Sequence, residues 1–455
     1  MRDGARMHTQ SPKTKALREK IIDYALERMD LDPAPLDGTQ TPEWFANNVP
    51  QTITNQGVGG EAALKIFGEL LAPATISTDH PNFLSFIPNA PSEAATFFDL
   101  VVSASSIYGG SWMEGSGAVY AENQVLEFLA SEVGLPKGSG GLFVQGGTLG
   151  NLSALVTARH AHIQKHGRPQ KRLAAVASSE AHSSLKAAAN VMDIELVKAQ
   201  VDRAGKLTRA AVEQALAETE FEVFALVATA GTTNFGIVDR ILEVSKLAKE
   251  RDIWLHIDGA YGLAGILDPK TKPLYEGVEN CDSFIVDPHK WLYAPFDACA
   301  LVYREPQLAR AAHMQKGEYL EALNESDEHN PADYGFGLTR RVRGLPLWFS
   351  LATHGIDAYR DAIALNNDLA QRIAKEIKNR NYLTLVREPE LSVVVFERNG
   401  WTQLQYDTWS QKLLDDGFAF VLPSSHQGRP NLRFAIINPK TSFEDLVTIL
   451  DSLEA

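Results

Sequence analysis

An α/β fold, with a mostly parallel sheet in a large domain and a smaller C-terminal α/β domain, is predicted by three features of the sequence. Between residues 173 and 303, short apolar strands alternate with helical patterns, as in parallel sheets covered on both faces. A second alternation of strands and helices fills residues 391–453. At 455 residues the chain also exceeds what one compact core accommodates. The expected division is a helical segment over 1–80 that packs on the main domain or on a dimer partner, a large domain over 81–345 with a mobile loop at about 318–340, and a small domain over 346–455.

Taken in order, segments 16–29 and 61–71 carry apolar residues at helical spacing, separated by a proline-rich loop at 30–50. Neither helix holds a core alone. From His80 the run HPNFLSFIPNAPS reads as a loop lining a cleft, and helices at 93–107 and 118–133 flank a Gly/Ser turn at 109–112. A short strand at 142–144 breaks at Gly146, Gly147 and Thr148, and a helix starts near Asn151. Glycines followed by a hydroxyl at a helix start either present free N–H groups to an anion or form a capped turn. The segment is neither a Walker loop nor a dinucleotide fingerprint, because the Gly-Lys-Ser/Thr ending and the acidic partner are missing.

Strands are then expected at 173–178, 195–198, 223–230, 253–257, 283–286 and 298–303, with helices from 183, over 208–217 and over 238–251. Residues 304–345 lack apolar periodicity and read as a lid. Helices at 345–354 and 356–379, strands at 391–396, 419–422 and 432–437, and helices at 401–416 and 443–453 complete the chain.

Composition excludes several function classes. Lys plus Arg is 43 and Asp plus Glu is 57, so 43 − 57 = −14. Nucleic-acid and anionic-membrane partners need a basic face, which this balance argues against. No apolar run approaches the roughly 20 residues of a membrane helix, and the basic N-terminus has no secretory apolar region behind it. Only Cys281 and Cys299 are present, which excludes a disulfide framework or a cysteine-built zinc site and suits a reducing, cytoplasmic setting.

In sheets of this kind ligands bind at the carboxyl ends of strands. The pattern places Thr148, His182, Thr232, Thr233, Asp258 and Lys290 there. Lys290 interrupts two apolar strands in SFIVDPHKWLYAPFDACALVY, where a lysine either snorkels to solvent or becomes a nucleophilic amine. Asp258 ends the strand of IWLHIDGAYG; a helix cap and a metal ligand are the common roles there, but no second ligand sits at metal spacing. A buried lysine, a buried carboxylate, an anion-binding helix start and an imidazole face together suit pyridoxal 5'-phosphate (PLP) chemistry. In that chemistry the lysine forms the Schiff base, the carboxylate keeps the pyridine nitrogen protonated and the helix start holds the phosphate.

From about residue 80 onward the motifs EAHSS (180–184), DIWLHIDGAYG (252–262), DPHKWL (287–292) and LRFAI (432–436) carry a family likeness. The sequence resembles the group II PLP-dependent amino-acid decarboxylases, the family of aromatic L-amino-acid decarboxylase. The resemblance implies a type I (aspartate aminotransferase-like) fold and a homodimer with the active site at its interface. It implies that Lys290 holds PLP, that Asp258 pairs with the pyridine nitrogen above Ala260, and that His182 stacks on the opposite ring face. Gly147, Thr148 and His289 would cradle the phosphate, with Asp287 beside it, and Thr233 would line the cofactor site. Tyr334 would be the loop tyrosine that protonates the carbanion, and Arg433 would lie near the substrate carboxylate or form a structural ion pair.

The implied reaction is decarboxylation of an aromatic L-amino acid (tryptophan, tyrosine, phenylalanine or DOPA type) to the amine and CO2. A non-aromatic substrate, an aldehyde synthase and a silent PLP-binding protein are the rivals. Family members with aldehyde activity tend to replace the equivalents of His182 or Tyr334, and both are present here. The sequence departs from the animal enzymes at Asp287, where asparagine is usual, at Gly110, where phenylalanine often faces the substrate, and at Asn89, which replaces threonine. Phe86, Tyr108 and Trp112 keep the expected pocket wall aromatic.

Overall fold

In the computed structural model, which describes residues 6–315, 317 and 328–454, the strands form two sheets. The first has seven strands: β1 (Gly140–Val144), β2 (Leu173–Ser178), β3 (Glu195–Ala199), β4 (Glu222–Thr229), β5 (Trp254–Asp258), β6 (Ser283–Val286) and β7 (Cys299–Tyr303). Their spatial order is β1-β7-β6-β5-β4-β2-β3. From β3 to β6 all pairs are parallel, and β7 runs antiparallel to both β6 and β1. β2, β4, β6 and β7 are buried along nearly their whole length, which is why they read as unbroken apolar runs. Helices Gly147–His166 and Ile241–Arg251 are among those covering this sheet.

The second sheet is antiparallel, in the order β10-β11-β9-β8: β8 (Leu383–Leu385), β9 (Val393–Arg398), β10 (Ser424–His426) and β11 (Arg429–Ala435). Its core joins Val394, Phe396 and Phe434 to the helices Leu345–Lys378, Gln403–Asp415 and Phe443–Asp451. The two helices expected at 345–354 and 356–379 form one run interrupted at Gly355, whose φ of 76° lies in the left-handed region that favours glycine.

Among the local expectations that differ from the structure, the following bear on the site and the sheets. The helix expected near Asn151 begins at Gly147, because glycine's low helical propensity hides the first turn. The strand expected at 419–422 shrinks to one bridge, Phe420 to Phe83. The Ser85 hydroxyl, not backbone, accepts from Leu422 N–H, and Pro423 has no N–H with which to continue the ladder. Within the stretch expected to be irregular, Pro306–His313 is helical. Of the loop expected at 318–340, residues 318–327 lie outside the described residues.

The N-terminal helix Pro12–Met29 buries none of its residues within this chain. No described helix is long and apolar enough to cross a membrane.

Candidate active site

The register Thr229–Asp258–Ile285 aligns the carboxyl ends of β4, β5 and β6. Beyond them the chain turns tightly, with Gly259 N–H donating to Ile285 O and Asp287 N–H to Ala260 O. Asp258 and the Asp287–Lys290 turn are thereby brought to one edge of the sheet. β1 delivers the start of helix Gly147–His166 to the same edge, and the turn after β2 delivers His182.

These ends enclose a cavity of about 300 Å³. Every cofactor-binding candidate lines it: Gly147, Thr148, His182, Thr233, Asp258, Ala260, Asp287, His289 and Lys290. The Lys290 ammonium lies 2.8 Å from Asp287 Oδ2, and its side chain is 24% exposed. Burial works to lower the Lys290 pKa. The Asp287 charge and hydrogen bond, reinforced by Asp258, outweigh that effect and raise it. Asp258 is buried; its Oδ2 accepts from Asn151 Nδ2 at 2.9 Å and its Oδ1 from Ala260 N–H at 3.2 Å. His182 Nδ1 lies 2.9 Å from Ser184 Oγ and accepts from Ser184 N–H. Burial holds the His289 pKa down, against the pull of Asp287.

Whether these residues fit PLP is tested by three features. No side chain caps the helix at Gly146, so its first amides are open to an anion. Gly147 approaches closely enough that a Cβ there would come within 3.1 Å of Ala260 Cβ and 3.2 Å of Asp287 Oδ2, so any larger residue narrows the cradle. Two buried oxygens of cavity-lining residues, Thr229 Oγ1 and Asp287 Oδ1, have no partner among the described residues. The donor set and the space fit the cofactor.

An asparagine at Asp287 removes the carboxylate that keeps Lys290 protonated. Since only the neutral amine is nucleophilic, cofactor loading of the stripped wild type should accelerate as pH rises towards the raised Lys290 pKa. In Asp287→Asn the rate should level off at lower pH, gaining about tenfold at neutral pH for each unit the lysine pKa falls. Growth of the visible absorbance band after PLP addition measures this. Identical pH profiles in the two proteins would remove Asp287 from that role.

None of the substrate-binding candidates lines this cavity. Asn89 Nδ2 donates to the carbonyls of His289 (2.6 Å) and Ala294 (2.9 Å), so it clamps the turn behind Lys290. Arg433 spends its hydrogen bonds on two backbone carbonyls, Thr233 O (2.6 Å) and Phe86 O (2.7 Å), tying a cofactor-lining residue to the 80s loop. Phe86 is 59% exposed, Tyr108 hydrogen-bonds to Leu338 O, and Trp112 N–H donates to Asn330 Oδ1. The space beside Gly110 is filled by the Tyr108 side chain, which a Cβ at Gly110 would strike.

Tyr334 is buried in its own chain, its ring stacked on His329 at 4.3 Å and its carbonyl accepting from Tyr303 Oη, outside the cavity lining. Burial, with Asp333 adding and Arg310 opposing, raises its pKa. Four further polar residues, Asn151, Ser184, His256 and Ser283, connect to the site but escaped the sequence reading. Ser184 and His256 stand inside the quoted motifs; Asn151 follows Gly147 by one helical turn, on the same helix face.

Comparison with known proteins gives the family. At 27% identity the chain is similar to an aromatic-L-amino-acid decarboxylase of Bacillus atrophaeus, over 99% of this chain and 96% of that protein. At 25% identity it is similar to a 4-hydroxyphenylacetaldehyde synthase of Rhodiola rosea, over 83% and 80%. Its fold matches the crystal structure of Oryza sativa TDC with PLP and tryptamine, with a TM-score of 0.90, 23% identity and 98% of each chain covered. The model of the pyridoxal-dependent decarboxylase conserved domain matches residues 51–399, and on that match the chain belongs to the pyridoxal-dependent decarboxylases, as a PLP-dependent carboxy-lyase.

Proposed function

We propose that the enzyme decarboxylates an aromatic L-amino acid, of the tryptophan, tyrosine, phenylalanine or DOPA type, to the amine and CO2. One observation carries the reading: Lys290, Asp258, His182 and an uncapped helix start open on a single cavity. When bound, PLP supplies an electron-withdrawing ring that accepts the electron pair left as the Cα–carboxylate bond breaks. Lys290 would hold the cofactor, the Gly147 and Thr148 amides its phosphate, and His182 one face of its ring. Asp258 would keep a proton on the ring nitrogen, an electrostatic contribution of several kcal/mol. No arginine lines the cavity among the described residues, which disfavours a substrate with an acidic side chain. Aromatic substrates are supported by the names of the relatives.

Tyr334 is the proposed proton donor. The role requires its hydroxyl to leave its packing against His329, or to face the cavity of a second copy. A homodimer is supported by the unburied N-terminal helix and by exposed Met113, Tyr120 and Phe336. A cytoplasmic setting is supported by two buried thiols that form no disulfide.

The rival reading, favoured by the Rhodiola rosea relative, is an aldehyde synthase. A CO2-release assay over the common L-amino acids, with product identification, tests both. The expected result is amine from aromatic substrates. In Tyr334→Phe the amine yield should fall by about 10²–10⁴-fold with substrate binding retained. Aldehyde with ammonia and peroxide supports the rival, and turnover of aliphatic or acidic amino acids alone contradicts the substrate assignment.

A further inference from the structure

We propose that Asn151 is the positioning residue of this site, orienting through its one buried amide both groups that face the cofactor ring, Asp258 directly and His182 through Ser184. The proposal rests on the functional reading above and extends it from the cavity wall, where Asn151 and Ser184 stand, to His256 and Ser283 behind it.

The argument begins with donors that have no choice. Trp254 Nε1–H only donates, and it reaches Ser283 Oγ at 2.9 Å. At the other end, Asp258 Oδ2 as a carboxylate only accepts, so the Asn151 atom 2.9 Å away is the amide nitrogen. That choice turns Asn151 Oδ1 towards His256 Nε2, at 2.8 Å, and makes Nε2 the protonated nitrogen of that ring. His256 Nδ1 must then accept, and the Ser283 hydroxyl, 2.8 Å away, donates to it. Burial holds the His256 pKa down to about 4 despite Asp258, which keeps the ring neutral with a single N–H.

The second N–H of Asn151 donates to Ser184 Oγ at 3.0 Å. The Ser184 hydroxyl donates in turn to His182 Nδ1, which also accepts from Ser184 N–H, and the proton of His182 is left on Nε2. Every bond in this chain thus has one polarity, set from Trp254 to Asp258 and His182.

Asn151, Ser184, His256 and Ser283 are all buried, so no water competes for these bonds. Asn151 also sits one turn into the helix whose start faces the phosphate position, so a single rigid element addresses both ends of the cofactor. Without the amide, Asp258 Oδ2 and His256 Nε2–H lose their partners, and the Ser184 hydroxyl loses the donor that turns its own proton towards His182 Nδ1.

The test compares PLP dissociation constants of the stripped proteins, read from the visible absorbance band, with kcat and KM of the loaded enzymes and the Tm of each apo protein. In Asn151→Ala, loss of a hydrogen bond to a charged acceptor should weaken PLP binding and lower kcat by about 10- to 100-fold each, with KM nearly unchanged. His256→Leu should show the same split in milder form. His256→Gln, which keeps an N–H in reach of Asn151 Oδ1, should restore most of the affinity at an apo Tm equal to that of the leucine variant. PLP affinity and kcat within twofold of wild type in Asn151→Ala, or in His256→Leu should the first variant not fold, overturn the proposal. So does an equal loss in the glutamine and leucine variants. A wild type that fails to bind PLP overturns the functional reading itself, an outcome distinct from variants that bind it as well as wild type does.

Discussion

Lys290→Ala should abolish the visible absorbance of the PLP-loaded protein and lower CO2 release by on the order of 10³-fold or more, the scale on which removal of a covalent-catalysis residue acts. The fold should survive, because the Lys290 side chain is partly exposed and, among the described residues, its ion pair is with Asp287. The change does leave the buried Asp287 carboxylate without its lysine partner, with only the His289 ring, 3.7 Å away, beside it among the described residues. Asp287→Asn/Lys290→Ala should therefore recover the apo Tm without recovering activity. Spectra, turnover and Tm measured together check this, and a Lys290→Ala protein that keeps the band would assign the cofactor to another lysine.

Asp258→Asn is the second change of large effect. The amide keeps the shape of the carboxylate, and its oxygen still accepts from Asn151, so the protein should fold and still load PLP at saturating concentration, with weakened affinity. Its neutral nitrogen cannot hold a proton on the ring, and kcat should fall by about 10²–10³-fold, the cost of losing one preorganised electrostatic partner. The defect should appear in kcat more than in KM, because the carboxylate acts on charge that develops only as the bond breaks. Turnover at the wild-type rate would leave Asp258 with a structural role only.

Much of this site was legible because its residues interrupt patterns. Lys290 and Asp258 break apolar strands at their carboxyl ends, and both line the cavity where such sheets bind ligands. The helix start at Gly147 was legible from its glycines, though the helix itself begins one turn before the apolar periodicity does. Asn151 and His256 were not legible, since a polar residue within a buried helix or strand gives no local sign of what it faces. Their partners come from positions 27 to 107 residues away, brought together by the parallel sheet.

The substrate side was the least legible. Asn89, Tyr108 and Arg433 have polar side chains near the site, and the structure uses each of them to hold backbone carbonyls. A sequence lists a side chain's donors without saying whether loop or ligand receives them. Tyr334 shows the same ambiguity, packed on His329 in this chain while its proposed chemistry needs it elsewhere.

The central claim, that the lysine after His289 holds the cofactor over Asp258, is tested most directly by borohydride reduction of the PLP-loaded wild type followed by peptide mass spectrometry. The account predicts one pyridoxyl label, on the peptide containing Lys290. A label on any other lysine, or a protein that takes up none, would contradict it.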